Sequence, residues 1–177
     1  MIISSIFKFP NFQITMFSSL SHFKTIWISE SEATLKCLQM LTDESLQTTS
    51  FGDYRSIKRM VNHIIACADG IPWEATLPIQ FEKKEYHTVQ DMIEAYTAAT
   101  NNVLSGVDQW TDDTLLEETP MYGESWKKGF ALWVTVVHQI HHRGQLTVLM
   151  RLAGLKVPGI YGPNAEEWKA YNLPEAD

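Results

Sequence analysis

Two histidines four residues apart, His138 and His142, are the residues whose types and spacing most clearly suggest chemistry. On a helix they fall on one face, about one turn apart. Imidazoles so placed can chelate one metal ion, because the neutral ring nitrogen is a good ligand for zinc, nickel and iron. The plainer alternative is a hydrogen-bonded pair near a helix surface or interface. Two features weigh for chelation. The pair shares its face with Ala131, Val134, Leu149 and Leu152, where uncompensated polar groups are costly. A third histidine, His63, lies in another predicted helix.

The element that must hold the pair is residues 130–153, free of proline and bounded by Gly129 and Gly154. As a helix it would be about 36 Å long. Gln145 falls on the face of the two histidines. Trp133, Val137, Ile140, Gly144 and Val148 form a second stripe, so the helix should be buried on most sides. Gly144 costs about 1 kcal/mol relative to alanine inside a helix. Close approach of another helix, from this chain or a second subunit, would compensate. His141 is turned about 100° from His142 and reads as a supporting group or a surface histidine. Arg143 points away from the histidine face and reads as one half of a structural ion pair.

The remaining elements follow from periodicity. Residues 16–46 predict a first helix with Phe23, Ile26, Trp27, Thr34, Cys37, Leu38 and Leu41 inward, and Glu30 and Glu32 on the solvated face. Residues 56–70 predict a second, capped by Ser56. His63 lies on the flank of its apolar face, and pattern alone does not select it as a ligand. Cys67, one turn later, is a fourth ligand or a small buried residue; burial is the preferred reading. Residues 71–86, with Pro72 and Pro78, read as a long irregular crossover whose Trp73 and Phe81 cover a pocket or pin the loop. Residues 88–109 predict a third helix, with Thr88 and Asp91 as a capping box. Residues 110–126 read as a loop whose turn could bring Tyr122 and Glu124 near a metal. In the tail, Pro158, Gly159, Gly162 and Pro163 force an extended path. A short helix is expected at 165–171, and Tyr161 and Trp168 should tack the tail to the rest.

A chain of 177 residues is long enough for one domain with a sizeable core. Its formal charge of −7 argues against a nucleic-acid groove. Lys127, Lys128, Arg143, Arg151 and Lys156 are too scattered to argue for a basic patch. No apolar run is long enough for a membrane span. Cys37 and Cys67 lack a paired spacing and read as reduced thiols of a cytoplasmic protein. Residues 1–15 lack a continuous signal-peptide core. They are expected to be a non-native extension, with Met16 as the true start and 16–177 as the domain.

The block His138, His142, Arg143, Gly144, Gln145, followed by Gly154 and Pro158, resembles the last helix and tail of the DinB-like family of metal-binding helical bundles. (These are the damage-inducible proteins of Gram-positive bacteria, not the lesion-bypass polymerase of that name.) A looser likeness extends over residues 16–170. The resemblance implies an all-α fold, a four-helix bundle with a long crossover connection, commonly paired as a homodimer. It also implies that His63, His138 and His142 hold a divalent metal ion, zinc, nickel or iron. Three neutral imidazoles leave a position open for water or substrate, as in catalytic sites. Gln145 could orient that ligand. Related families on this fold include transferases and isomerases that use low-molecular-weight thiols such as bacillithiol or mycothiol. The implied function is therefore a metal-dependent thiol S-transferase acting on a small molecule. Metal-dependent hydrolysis is the second enzymatic reading. The third is a non-catalytic, metal-binding stress-response dimer, whose site a fourth ligand such as Cys67 would close.

Overall fold

Each of the first three helices begins where a short hydroxyl side chain satisfies an otherwise unpaired backbone N–H. In α1 (Leu20–Leu38), Ser19 accepts from the N–H of His22. In α2 (Ile57–Glu74), Ser56 accepts from Arg59, and in α3 (Val89–Val107), Thr88 accepts from Asp91. The computed structural model describes residues 17, 19–50, 52 and 55–170. The expected extension at 1–15 lies outside them, as does the first residue of the predicted first helix.

The fourth helix, α4 (Lys128–Leu152), packs against α2 and α1, and α3 packs against the same two. The four make a closed ring in which α1 faces α2 across the bundle. The fold is the expected four-helix bundle. Its centre is filled by Phe23, Trp27, Leu38, Ile64, Met92, Tyr96, Leu132 and Leu146, all almost fully buried. The Trp27 indole satisfies its one polar group by donating to the Thr100 carbonyl at 3.2 Å. Such large apolar side chains are worth about 1.5–3 kcal/mol each when withdrawn from water.

Several boundaries differ from the sequence reading. The first helix stops at Leu38, and a 3-10 turn (Glu44–Gln47) follows. The second helix continues past Gly70 and through Pro72 to Glu74. Proline removes one hydrogen bond there, but Ile71 is buried, and Ala75 still donates to the Ile71 carbonyl at 3.1 Å. The crossover then runs from 75 to 88 and presses onto α3 at Gly106. A Cβ at Gly106 would meet Ile79 at 2.5 Å, so only glycine fits.

The segment expected to be a loop contains a hairpin. Strand β1 (Glu118–Met121) pairs antiparallel with β2 (Glu124–Lys127), with Thr119 opposite Trp126. Its two-residue turn places Tyr122 at φ 51° and Gly123 at φ 87°. Both central residues are left-handed, which matches the twist of a tight hairpin. Met121 and Trp126 point inward and join Ile71, Ala75, Phe130, Ala131 and Val134 in a second apolar cluster. This cluster ties the hairpin to the end of α2 and the start of α4. At the far end, α5 (Ala165–Ala170) closes the described chain; the last residue of the expected helix, Tyr171, lies outside the described residues.

Candidate metal centre

The face of α4 predicted from the helical period presents His138 and His142 toward α2, where His63 meets them. The Nε2 atoms of His63 and His142 are 3.0 Å apart, and those of His63 and His138 are 3.2 Å apart. Among the described residues, the three histidines form a group whose ligand atoms all lie within 4.8 Å of one another. Two nitrogens each about 2.1 Å from a shared ion stand at most about 4.2 Å apart, and the two close spacings satisfy that limit.

The hydrogen bonding also fits a cation. His142 donates from Nδ1 to Gln145 Oε1 at 2.7 Å, which leaves a lone pair on His142 Nε2. A single proton on His63 Nε2 would then have to serve two nitrogen neighbours at once. A cation at the centre can accept all three lone pairs. Gln145 continues outward, its Nε2 donating to His141 Nε2 at 3.0 Å. His141 is exposed; it reaches the centre through that amide and through the edge contact of its ring with His142, ring centres 4.9 Å apart. Of the two readings left open for it, the supporting one fits these contacts.

Burial keeps the rings neutral. It is the main cause that brings His63 and His138 down to about 4, with the nearby positive charge of Arg55 and the neighbouring histidines adding to it. His142 is lowered for the same first reason, and the bond to Gln145 opposes the shift. Neutral imidazole is the form that binds metal.

Cys67 lies beside the centre but outside the group. Its Sγ is 3.7 Å from His63 Nδ1, and burial pushes the thiol up to about 11. It is therefore a protonated, half-buried thiol, in keeping with the preference for burial over ligation. Tyr122 and Phe81 line the cavity at His63. Trp73 is set back from it and packs on Phe81, ring centres 5.5 Å apart. Glu124 accepts from the Trp126 indole at 3.0 Å and is not in the histidine group.

One expectation on α1 needs correcting, and one on α4 is narrowed. Glu30 is not on a solvated face: it pairs with Arg143 at 2.5 Å, and both side chains are largely buried. The same guanidinium donates to the Glu30 carbonyl at 2.9 Å and to Tyr161 Oη at 2.5 Å. Tyr161 in turn donates to Glu30 at 2.7 Å, so it does tack the tail to α1 and α4, as expected. Of the two partners expected to approach Gly144, a helix of this chain is not there among the described residues: Gly144 is exposed, and a Cβ there would meet nothing within 4 Å. Val148 on the same stripe, and Leu152 from the histidine face, are also more than half exposed.

A four-helix bundle with a three-histidine group able to hold a metal ion is the class that fold and site define. The chain belongs to the DinB family, whose sequence profile matches residues 16–176. It is 40% identical over 162 residues to the uncharacterized protein YrdA of Bacillus subtilis (strain 168), covering 89% of this chain and 97% of that one. A crystal structure of a DinB-like protein from Bacillus cereus ATCC 10987 superposes with a TM-score of 0.79 at 31% identity, over 82% of this chain and all of the other. The DinB-like protein YjoA of Bacillus subtilis, at 17% identity, shares the fold with a TM-score of 0.66, over 81% of this chain and 99% of its own.

Proposed function

We propose that the protein is a divalent-metal-dependent enzyme in which His63, His138 and His142 hold the ion and a small-molecule thiol is the nucleophile, as in a thiol S-transferase. The observation that carries this reading is the convergence of three neutral histidine nitrogens beside a cavity of about 690 Å³, with no fourth ligand in the group among the described residues. A bound divalent ion would lower the pKa of a thiol or water in the remaining position. The chain's own groups do the rest. Gln145 holds the His142 ring in the tautomer that aims Nε2 inward. Burial keeps the three rings unprotonated near neutral pH. Cys67 stands outside the histidine group, its Sγ 3.7 Å from His63 Nδ1.

In the proposed transfer the thiol loses its proton to solvent, its sulfur bonds to an electrophilic carbon, and the leaving group departs with the electron pair of the broken bond. The test is zinc-, nickel- or iron-loaded protein given cysteine or 2-mercaptoethanol and an activated aryl chloride. Metal-dependent loss of thiol, abolished by chelation and in His138→Ala, supports the reading. Metal-loaded protein that consumes no thiol above background with any of the three ions overturns it.

The working unit is proposed to be a cytoplasmic homodimer. Two free cysteines fit a reducing compartment, and Gly144 and Val148, with exposed Leu152 toward the end of the helix, leave open surface along α4 for a second copy. Light scattering on the purified protein distinguishes monomer from dimer directly.

A further inference from the structure

Although the chain carries a formal charge of −7, one wall of the histidine centre is cationic. The cavity at His63 is lined by Arg55, Arg59, Lys83 and Lys84, against Glu74 and Glu85. Two of these six are already engaged in ion pairs, Lys84 with Glu82 at 2.9 Å and Glu85 with Lys58 at 3.1 Å. Among the described residues, no carboxylate forms an ion pair with Arg55, Arg59 or Lys83. Arg55 directly precedes the N-cap of α2, Arg59 is in its first turn, and Lys83 comes from the crossover. Only the tertiary fold collects them. Both Arg55 and Lys83 are near enough to His63 for their charges to disfavour its protonation.

The other side of the centre differs. A cavity of about 420 Å³ meets His142 and Gln145, shares Arg55, and is otherwise walled by Met60, Val148 and Leu149, with Ser50 at its edge. The charge is thus concentrated on the His63 side. Three like charges on one concave wall repel one another, and an anion between them relieves that repulsion. Guanidinium groups can also grip a carboxylate or phosphate through two parallel hydrogen bonds.

Building on the metal-dependent reading for the position of the reactive end, we infer that the centre takes an anionic small molecule from the His63 side, its carboxylate or phosphate held by Arg55, Arg59 and Lys83. The apolar chamber at His142 then receives the uncharged partner. A cationic mouth on an acidic protein also draws small anions to this one place.

The experiment compares 3-mercaptopropionate with 2-mercaptoethanol on the cobalt-loaded protein. Calorimetry reads affinity, and the sulfur-to-cobalt absorption band separately reads whether sulfur reaches the metal. The carboxylate-bearing thiol should bind at least about tenfold more tightly, as charge-assisted hydrogen bonds require. In Arg55→Gln/Lys83→Gln that preference should vanish, with cobalt content and 2-mercaptoethanol affinity unchanged. Equal affinities, no binding of either thiol, or a preference that survives the double substitution would each overturn the inference. The band judges the thiol reading independently. A carboxylate preference without the band leaves the anion site standing and removes the thiol; a band without preference does the reverse.

Discussion

His63 Nε2 and His142 Nε2 lie 3.0 Å apart, although the residues are separated by 79 positions in the chain. Only the packing of α2 on α4 brings them together. If that contact is a metal centre, each of its three histidines should be needed. Single His63→Ala, His138→Ala and His142→Ala variants should keep wild-type circular dichroism and each lose metal affinity by more than the roughly 10–100-fold typical of removing a supporting group. Plasma mass spectrometry of the untagged proteins reads this. Chelation should also lower the melting temperature of the wild type, because the ion binds the folded form alone. Wild type that takes up no zinc, nickel or iron would remove the centre.

Gln145 is the side chain that sets the His142 tautomer. Gln145→Leu leaves the ligand set intact but frees the Nδ1 proton. Metal affinity should fall by about 10–100-fold, with the fold unchanged. An unaltered affinity would mean that the 2.7 Å bond is incidental.

In the metal-free protein the site should also make stability depend on pH. His63 and His138 have folded-state values of about 4, below the usual 6.5 of histidine. Between those values the unfolded chain binds more protons than the folded one. The contribution is therefore fully present above about pH 6.5 and is lost as pH falls toward 4. Urea unfolding of the metal-free protein at several pH values should show this decline. His63→Gln/His138→Gln should show a flatter profile. Parallel profiles for the two proteins would contradict the burial argument.

Arg143 and Glu30 are a buried pair whose removal should be asymmetric. Arg143→Met leaves the Glu30 carboxylate buried and uncompensated, at a cost of about 3–5 kcal/mol. Glu30→Met/Arg143→Met removes both charges and should lose much less. The denaturant midpoints of the two singles and the double complete the cycle. A loss below about 1 kcal/mol for Arg143→Met would show the pair to be as weak as an exposed one.

Much of this protein was determined by local pattern. The three- and four-residue spacing of apolar side chains specifies four helices. Ser56 and Thr88 mark two of their starts, and the His138–His142 spacing puts both imidazoles on one face whatever surrounds them. His63 was different. Its place on the flank of α2 does not distinguish it from any other half-buried histidine, and only the family resemblance singled it out. The hairpin was hidden because its strands have four residues each, one contains Pro120, and its Tyr122–Gly123 turn lacks the usual Asn or Asp before glycine. Glu30 read as solvated because a charge on a helix normally is; Arg143, 113 positions away, reverses that. The cationic wall needed Arg55 and Arg59 to meet Lys83 from the crossover. Helical periodicity reports which face of a helix turns inward. What waits there depends on how the helices close around one another, and tertiary packing alone decides that.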